Sequence, residues 1–110
     1  MQDKATRVYS GQLLAGEADG GVTVISALNS GDRIRILGYR LQIHSAVNGY
    51  NTFIEGTDGT VISGHVFSDS NGLDYVQDGL SVQLKAGEDI QIRSRTDGTI
   101  VWAVTVEDKR

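Results

Sequence analysis

Few side chains in this sequence could do acid–base or nucleophilic chemistry. The two histidines are His44 and His65, and Ser63 and Asp69 lie close to His65 along the chain. A Ser/His/Asp triad is defined by the geometry and roles of its members, so owning the three residue types is not enough. The sequence also lacks a G-x-S-x-G nucleophile elbow. We therefore expect hydrogen-bonded or solvent-exposed histidines, and a protein that is not an enzyme.

A second candidate is the polar loop DSNGLD at residues 69–74, which places oxygen-bearing side chains at alternate positions before a glycine. Calcium loops share this spacing, but an EF-hand also needs a bidentate Glu at its twelfth position, which here is Leu80. The chain has no cysteine, so it has neither a thiolate metal site nor a disulfide. The sequence favours a solvated turn, with weak calcium binding as the alternative, and we predict no cofactor.

Arginines form the most regular charged pattern. Four of them alternate with isoleucines and should point outward from their strands: Arg33, Arg35, Arg93 and Arg95. If the two strands are neighbours, these side chains form a basic stripe that could pair with carboxylates of another subunit. Neutralisation by Asp and Glu on the same surface is the alternative. The net charge of −4 at pH 7 argues against a nucleic-acid partner, because phosphate binding needs a basic surface.

The elements that position these side chains are clearest in residues 80–107. Apolar and polar residues alternate there in three runs separated by turn residues, which predicts three half-buried strands. In the last run one parity is apolar: Ile100, Trp102, Val104 and Val106. Asp97-Gly98 is a strong hairpin signal. We therefore predict a meander around the single Trp, which should face the core.

The other parity of the last run carries no charge until Glu107. Val101, Ala103 and Thr105 are small and uncharged, whereas the solvated face of a monomer normally carries charged residues. Contiguous apolar surface in a folded protein usually marks an interaction site. We therefore predict that Val101 and Ala103, together with the four arginines, form a subunit interface. Coverage by another strand or loop of the same domain is the alternative.

Turn-rich clusters divide the rest of the chain into short strands. The predicted strands are residues 5–14, 22 to near 29, 33–45, 52–55, 61–67 and 73–76, the last being a strand or a packed loop. Within 33–45 the apolar parity changes at Gly38, which predicts a β-bulge. About eight strands, fourteen glycines and no proline predict an all-β fold, a two-sheet antiparallel sandwich of jelly-roll type. A small barrel is the alternative.

A chain of 110 residues suits one core. We expect residues 1–10 to be an N-terminal arm or edge strand, and residues 11–110 to be a single β-sandwich domain. No segment is long and apolar enough to span a bilayer, and the first ten residues lack a secretion signal. The expectation is therefore synthesis in the cytoplasm and no membrane partner.

Three segments together resemble a known group of proteins: NSGDRIRILGYRLQI leading into a long strand, then GLSVQLKAGEDIQIRS, then the closing IVWAVTVE. Over residues 22–107 this layout is similar to that of the small jelly-roll capsid decoration (cement) and head-fibre proteins of tailed bacteriophages. The resemblance implies a homotrimer on the outer surface of the virion capsid, which binds the major capsid protein and stabilises the shell. It also implies that the N-terminal segment contacts the shell, which makes Lys4, Arg7 and Tyr9 the candidate contacts.

The competing class is a carbohydrate- or receptor-binding β-sandwich of a phage tail or fibre. Sugar sites typically present exposed aromatic rings. Trp102 is predicted to face inward, so Tyr50 and Tyr75, which fall in or near loops, are the candidate glycan contacts.

Overall fold

A computed structural model of the chain describes residues 5–44, 51–63, 66–67 and 73–108. These residues form β-strands joined by turns, and none of them belongs to a helix that could cross a membrane. The strands are β1 (Ala5–Leu13), β2 (Val22–Ile25), β3 (Arg35–His44), β4 (Asn51–Gly56), β5 (Val66–Phe67), β6 (Leu73–Gln77), β7 (Val82–Gln83), β8 (Ile90–Ser94) and β9 (Thr99–Asp108).

The strands form two antiparallel sheets that pack as a sandwich. The large sheet has the order β1-β9-β3-β6, with the short β7 also pairing with β3, and the small sheet has the order β2-β8-β4-β5. Without β7, the eight strands follow the jelly-roll order, in which the chain passes repeatedly from one sheet to the other. The predicted all-β antiparallel sandwich of jelly-roll type is therefore confirmed.

The predicted C-terminal meander is wrong, because its three strands do not pair with one another. β7 pairs with β3, β8 pairs with β2 and β4 in the small sheet, and β9 pairs with β1 and β3 in the large sheet. The segment around Asp97-Gly98 is a corner between sheets. Thr96 Oγ1 accepts a hydrogen bond from Gly98 N (3.2 Å), and Ser94 Oγ accepts one from Thr96 N (3.1 Å). Period-two alternation identifies a strand but not its partner.

The predicted bulge at Gly38 is confirmed. On β9, Val106 pairs with Ile36 and the next residue, Thr105, pairs with Gly38, so Leu37 is the extra residue. A Cβ on Gly38 would lie 2.9 Å from the carbonyl oxygen of Gln77. The bulge therefore restores the inward parity of β3 and needs a residue without a side chain.

The core between the sheets is built from β-branched residues, whose shape suits a pleated, half-buried surface. Its fully buried members include Ile34, Ile36, Ile54, Ile90, Ile92, Ile100, Val104 and Val106. Trp102 faces this core, as predicted, and lies opposite Gly11 of β1. A Cβ on Gly11 would lie 3.0 Å from the indole, so the glycine makes the room that the ring occupies.

A buried carboxylate ties two turns together beside the small sheet. Glu88 Oε1 accepts hydrogen bonds from Thr60 Oγ1 (2.6 Å) and Lys85 N (2.9 Å). Glu88 Oε2 accepts them from Asp58 N (2.8 Å) and Thr60 N (3.2 Å). Gly56 lies so close that a Cβ there would meet this carboxylate. The turn at residues 57–60, predicted from its Asp-Gly pair, is therefore held in place by hydrogen bonds to Glu88 in the neighbouring loop.

The remaining strand predictions differ from the structure mainly in length. Within the described residues of the predicted strand 61–67, Val61 forms a single bridge with Glu55 and Val66–Phe67 form the two-residue β5. Residues 73–77 form a strand, β6, rather than a packed loop. β1 pairs with β9 along its whole length, so residues 5–10 form an edge strand continuous with residues 11–13.

Candidate functional site

Part of the outer side of the large sheet carries no charged residue. We call it the large-sheet face and define it by six residues of β1 and β9: Val8, Ser10, Gln12, Val101, Ala103 and Thr105. These residues lie side by side in the register of the two strands. Val8 is 65% exposed although it is apolar, and Val101 and Ala103 are half-buried. The predicted uncharged surface around Val101 and Ala103 is therefore present on one side of the sandwich.

The charged residues on the same outer side of the large sheet lie on β3, on β6 and near the C-terminal end of β9. Arg40 donates two hydrogen bonds to Asp74, from Nε at 3.1 Å and from Nη2 at 3.0 Å. Arg35 donates to Ser81 Oγ and Gln83 Oε1, both at 2.7 Å, and its Nε lies 3.8 Å from Glu107. Such pairing leaves little net charge next to the large-sheet face.

The β1 edge of the large sheet is fixed from inside the sandwich. Asp108, whose side chain is fully buried, accepts hydrogen bonds from Arg7 Nε (3.0 Å) and Tyr9 OH (3.2 Å). These two residues take the inward parity of β1, opposite Val106 and Val104. The candidate shell contacts Arg7 and Tyr9 therefore take part in this intramolecular cluster, and Lys4 lies outside the described residues.

The four arginines do not form one basic stripe. Arg33 is exposed just before β3 and Arg35 lies on β3, whereas Arg93 and Arg95 lie on or directly after β8 in the other sheet. The predicted stripe required β3 and β8 to be neighbours, and the jelly-roll order separates them. The alternative, local neutralisation by acidic residues, describes Arg35, Arg93 and Arg95.

A cleft of about 430 Å³ opens on the outer side of the small sheet, and we call it the Arg93 cleft. Its lining comes from β4, from the end of β8 and the residue after it, and from the loop before β2: Asp19, Gly20, Asn51, Phe53, Arg93, Ser94 and Arg95. Phe53 pairs directly with Arg93 across the strands, and the guanidinium carbon lies 5.0 Å from the ring centroid. This distance is typical of a cation–π contact.

Acidic residues approach both arginines of the Arg93 cleft. Arg93 Nη2 lies 3.0 Å from Glu55 Oε1, and Arg95 Nε lies 3.4 Å from Asp19 Oδ1. The loop at residues 14–21 brings Asp19 there because Ala18 is buried and its carbonyl accepts a hydrogen bond from Ser94 N (2.9 Å). The cleft therefore combines donors, acceptors and an aromatic ring, and each of its guanidinium groups has a carboxylate within ion-pair distance.

Of the two tyrosines predicted as glycan contacts, Tyr75 lies away from the Arg93 cleft, on the large sheet. Tyr75 is on β6, where its ring stacks on Tyr39 with centroids 6.0 Å apart, and Tyr50 lies outside the described residues. Burial and the neighbouring Tyr75 raise the pKa of Tyr39 to about 12. Tyr39 is therefore part of the core, and Tyr75 packs on it from β6, at the end of the strand order of the large sheet.

Candidate chemistry is sparse in the described part of the chain. No three His, Asp or Glu side chains there converge as a metal site would require. His44 is exposed at the end of β3. His65, Asp69 and most of the loop 69–74 lie outside the described residues. The Ser/His/Asp and calcium-loop alternatives therefore stay predictions.

No protein-family model, curated protein or solved structure shows a significant match to this chain. Function is therefore inferred from the two surfaces described above.

Sequence patterns do not point to several residues of these surfaces. For Phe53 they predict only a strand, and for Asp19 only a loop, because the pairing of β4 with β8 and the path of the loop are long-range features. Phe53 and Ile54 are neighbours in a strand and must face opposite ways. This alternation is the one available signal that one of the two side chains lies on the outer surface.

Proposed function

We propose that this chain is a non-enzymatic structural protein of a phage virion. It assembles as a homotrimer on the outer surface of the capsid, contacts the major capsid protein and stabilises the shell. The observation that carries the proposal is the large-sheet face, which is uncharged, extended and bordered by an edge of β1 that pairs with no strand of the described residues. The resemblance of residues 22–107 to capsid decoration proteins supports the same function.

The large-sheet face suits association with further copies of the chain. Val8 is the most exposed large apolar residue of β1, and it lies directly beside Thr105 in the sheet. A charged residue on the large-sheet face would oppose its burial against another chain, and none of its six positions is charged. Burial of such a surface contributes about 25 cal/mol per Å² of apolar area. Because this contribution does not come from charges, self-association through the large-sheet face should depend little on salt.

The free edge of β1 adjoins the same face. Within the described residues β1 pairs only with β9, and its other edge leaves backbone N–H and C=O groups available. Natural edge strands are usually protected by charges, prolines or bulges. The nine residues of β1 include one charged side chain, Arg7, and this side chain contacts the buried Asp108. The edge and the face together form the proposed subunit contact.

A shell-binding role needs a rigid scaffold and many weak contacts rather than one tight site. In a symmetric particle each contact is repeated, so that binding strength accumulates through multivalency. The N-terminal segment leads into β1 at this same edge. Lys4, together with the exposed part of Arg7, is therefore the proposed point of contact with the major capsid protein.

The proposal is tested by co-sedimentation of the purified chain with heads of the phage that encodes it. Val8→Arg places a charge on the large-sheet face, and Val61→Arg is the matched control, because Val61 is 69% exposed on the small-sheet side. We expect the native chain and Val61→Arg to sediment with the heads and Val8→Arg to bind at least tenfold more weakly. No binding by the native chain, or equal binding by all three, would contradict the proposal.

A further inference from the structure

We infer that the Arg93 cleft is a binding site for a neutral oligosaccharide. The site is distinct from the large-sheet face, since it lies on the other sheet, and it remains open when the large-sheet face is covered. Its volume of about 430 Å³ falls within the range of about 300 to 1,000 Å³ that small-molecule sites occupy.

The arginines of the cleft differ from those of the large sheet in how they are engaged. Arg7, Arg35 and Arg40 donate aligned hydrogen bonds to neighbouring side chains. Among the described residues, Arg93 and Arg95 have acidic neighbours within ion-pair distance but donate no aligned hydrogen bond. Their N–H groups are therefore available to a ligand in the cleft.

The charge balance of the cleft selects the chemical class of that ligand. Each guanidinium already has a carboxylate within ion-pair distance, Glu55 at 3.0 Å from Arg93 and Asp19 at 3.4 Å from Arg95, so a free anion meets positive charges that are already offset. A sugar hydroxyl donates one hydrogen bond and accepts others, so that neighbouring hydroxyls can bind a guanidinium and a carboxylate together. Asn51 adds an amide that both donates and accepts. This donor and acceptor set fits a polyhydroxylated, uncharged ligand better than a phosphate or a carboxylate.

The shape of the cleft also supports a sugar. The guanidinium carbon of Arg93 lies 5.0 Å from the centroid of the Phe53 ring, and this cation–π contact favours one placement of the guanidinium before the ligand arrives. Sugars combine an edge of hydroxyls with apolar C–H faces, and the lining offers Phe53 beside the polar groups. Arg95 is 77% exposed and Asp19 61% exposed, so their ion pair is weak and can rearrange around a ligand.

The test uses the full chain on an array of neutral di- to tetrasaccharides of hexoses and N-acetylhexosamines, with sialylated and sulfated glycans on the same array. Binding to at least one neutral glycan is expected, and its affinity should change less than twofold between low and high salt. The affinity for that glycan is then measured by titration calorimetry with the native chain, Arg95→Ala and Arg40→Ala. We expect Arg95→Ala to bind at least tenfold more weakly.

Arg40→Ala is the matched control, because Arg40 is also a half-exposed, ion-paired arginine but lies on the other sheet. It should bind the glycan as the native chain does. The inference is overturned if no neutral glycan binds, if only anionic glycans bind and high salt abolishes that binding, or if Arg95→Ala binds as tightly as the native chain. None of these outcomes bears on capsid binding, which is measured separately with Val8→Arg.

Discussion

Replacing the buried carboxylate of Glu88 by an amide should destabilise the fold strongly. Glu88 is 1% exposed and accepts four hydrogen bonds, two on each oxygen, from Thr60 Oγ1 and from three backbone N–H groups. In Glu88→Gln, one oxygen becomes an NH₂ group that faces donors instead of accepting from them. Each buried donor left unsatisfied costs about 1–3 kcal/mol, and hydrogen bonds to charged groups are worth more than neutral ones. We expect a loss of about 2–4 kcal/mol.

The effect should depend on pH in a direction that the structure fixes. Burial alone would raise the pKa of Glu88, but the hydrogen bonds from Thr60 and from the backbone of Lys85 and Asp58 outweigh burial and lower it. A lowered pKa in the folded state means that the carboxylate stabilises the fold above its unfolded pKa of about 4.3. This contribution disappears as the pH falls through the folded pKa. The difference between the native chain and Glu88→Gln should therefore shrink below about pH 4.

The assay is urea and thermal unfolding of both chains at pH 7 and at a series of lower pH values. A loss of about 3 kcal/mol corresponds to a Tm decrease of roughly 12 °C for a domain of this size. Glu17→Gln is the control, since Glu17 is exposed and accepts a single hydrogen bond, from Leu14 N; it should change stability by less than about 0.5 kcal/mol. Equal stability of Glu88→Gln and Glu17→Gln would refute the reasoning.

Three further predictions concern the large sheet. Gly11→Val should push against Trp102, whose indole would lie 3.0 Å from the new Cβ, and should cost about 1–3 kcal/mol with a red shift of Trp fluorescence. Asp108→Asn should weaken the contacts to Arg7 and Tyr9, cost about 1–3 kcal/mol, and speed hydrogen exchange in β1 more than in β4. Ultraviolet titration should show a tyrosine ionising near pH 12, absent in Tyr39→Phe; because this pKa is raised, stability should fall between about pH 10 and 12. Unchanged fluorescence, uniform exchange, or a high-pH step that persists in Tyr39→Phe would each count against its prediction.

The sequence is informative about strands and about which side of each strand is buried. The alternation around Trp102 and the phase change at Gly38 both predict the observed inward faces, because side-chain direction in a strand is a local property. Which strands pair with each other is a long-range property, and the local sequence does not determine it. The run from Asp97 to Thr99 has the residues of a hairpin turn, yet it joins strands of different sheets.

The candidate surfaces show the same limit. Val101 and Ala103 can be placed on an outer face from parity alone. The Arg93 cleft cannot, since it depends on the pairing of Phe53 with Arg93 and on a loop that brings Asp19 to Arg95. Glu88 gives no signal either, because its four donors come from two turns that are distant from each other along the chain.

Self-association through the large-sheet face is tested most directly by light scattering coupled to size exclusion, at low and at high salt. We predict a molar mass three times that of one chain at both salt concentrations. Val8→Arg should elute as a monomer and Val61→Arg as a trimer. A native chain that stays monomeric at high concentration, or a trimer that Val8→Arg leaves intact or that high salt dissociates, would contradict the proposed contact.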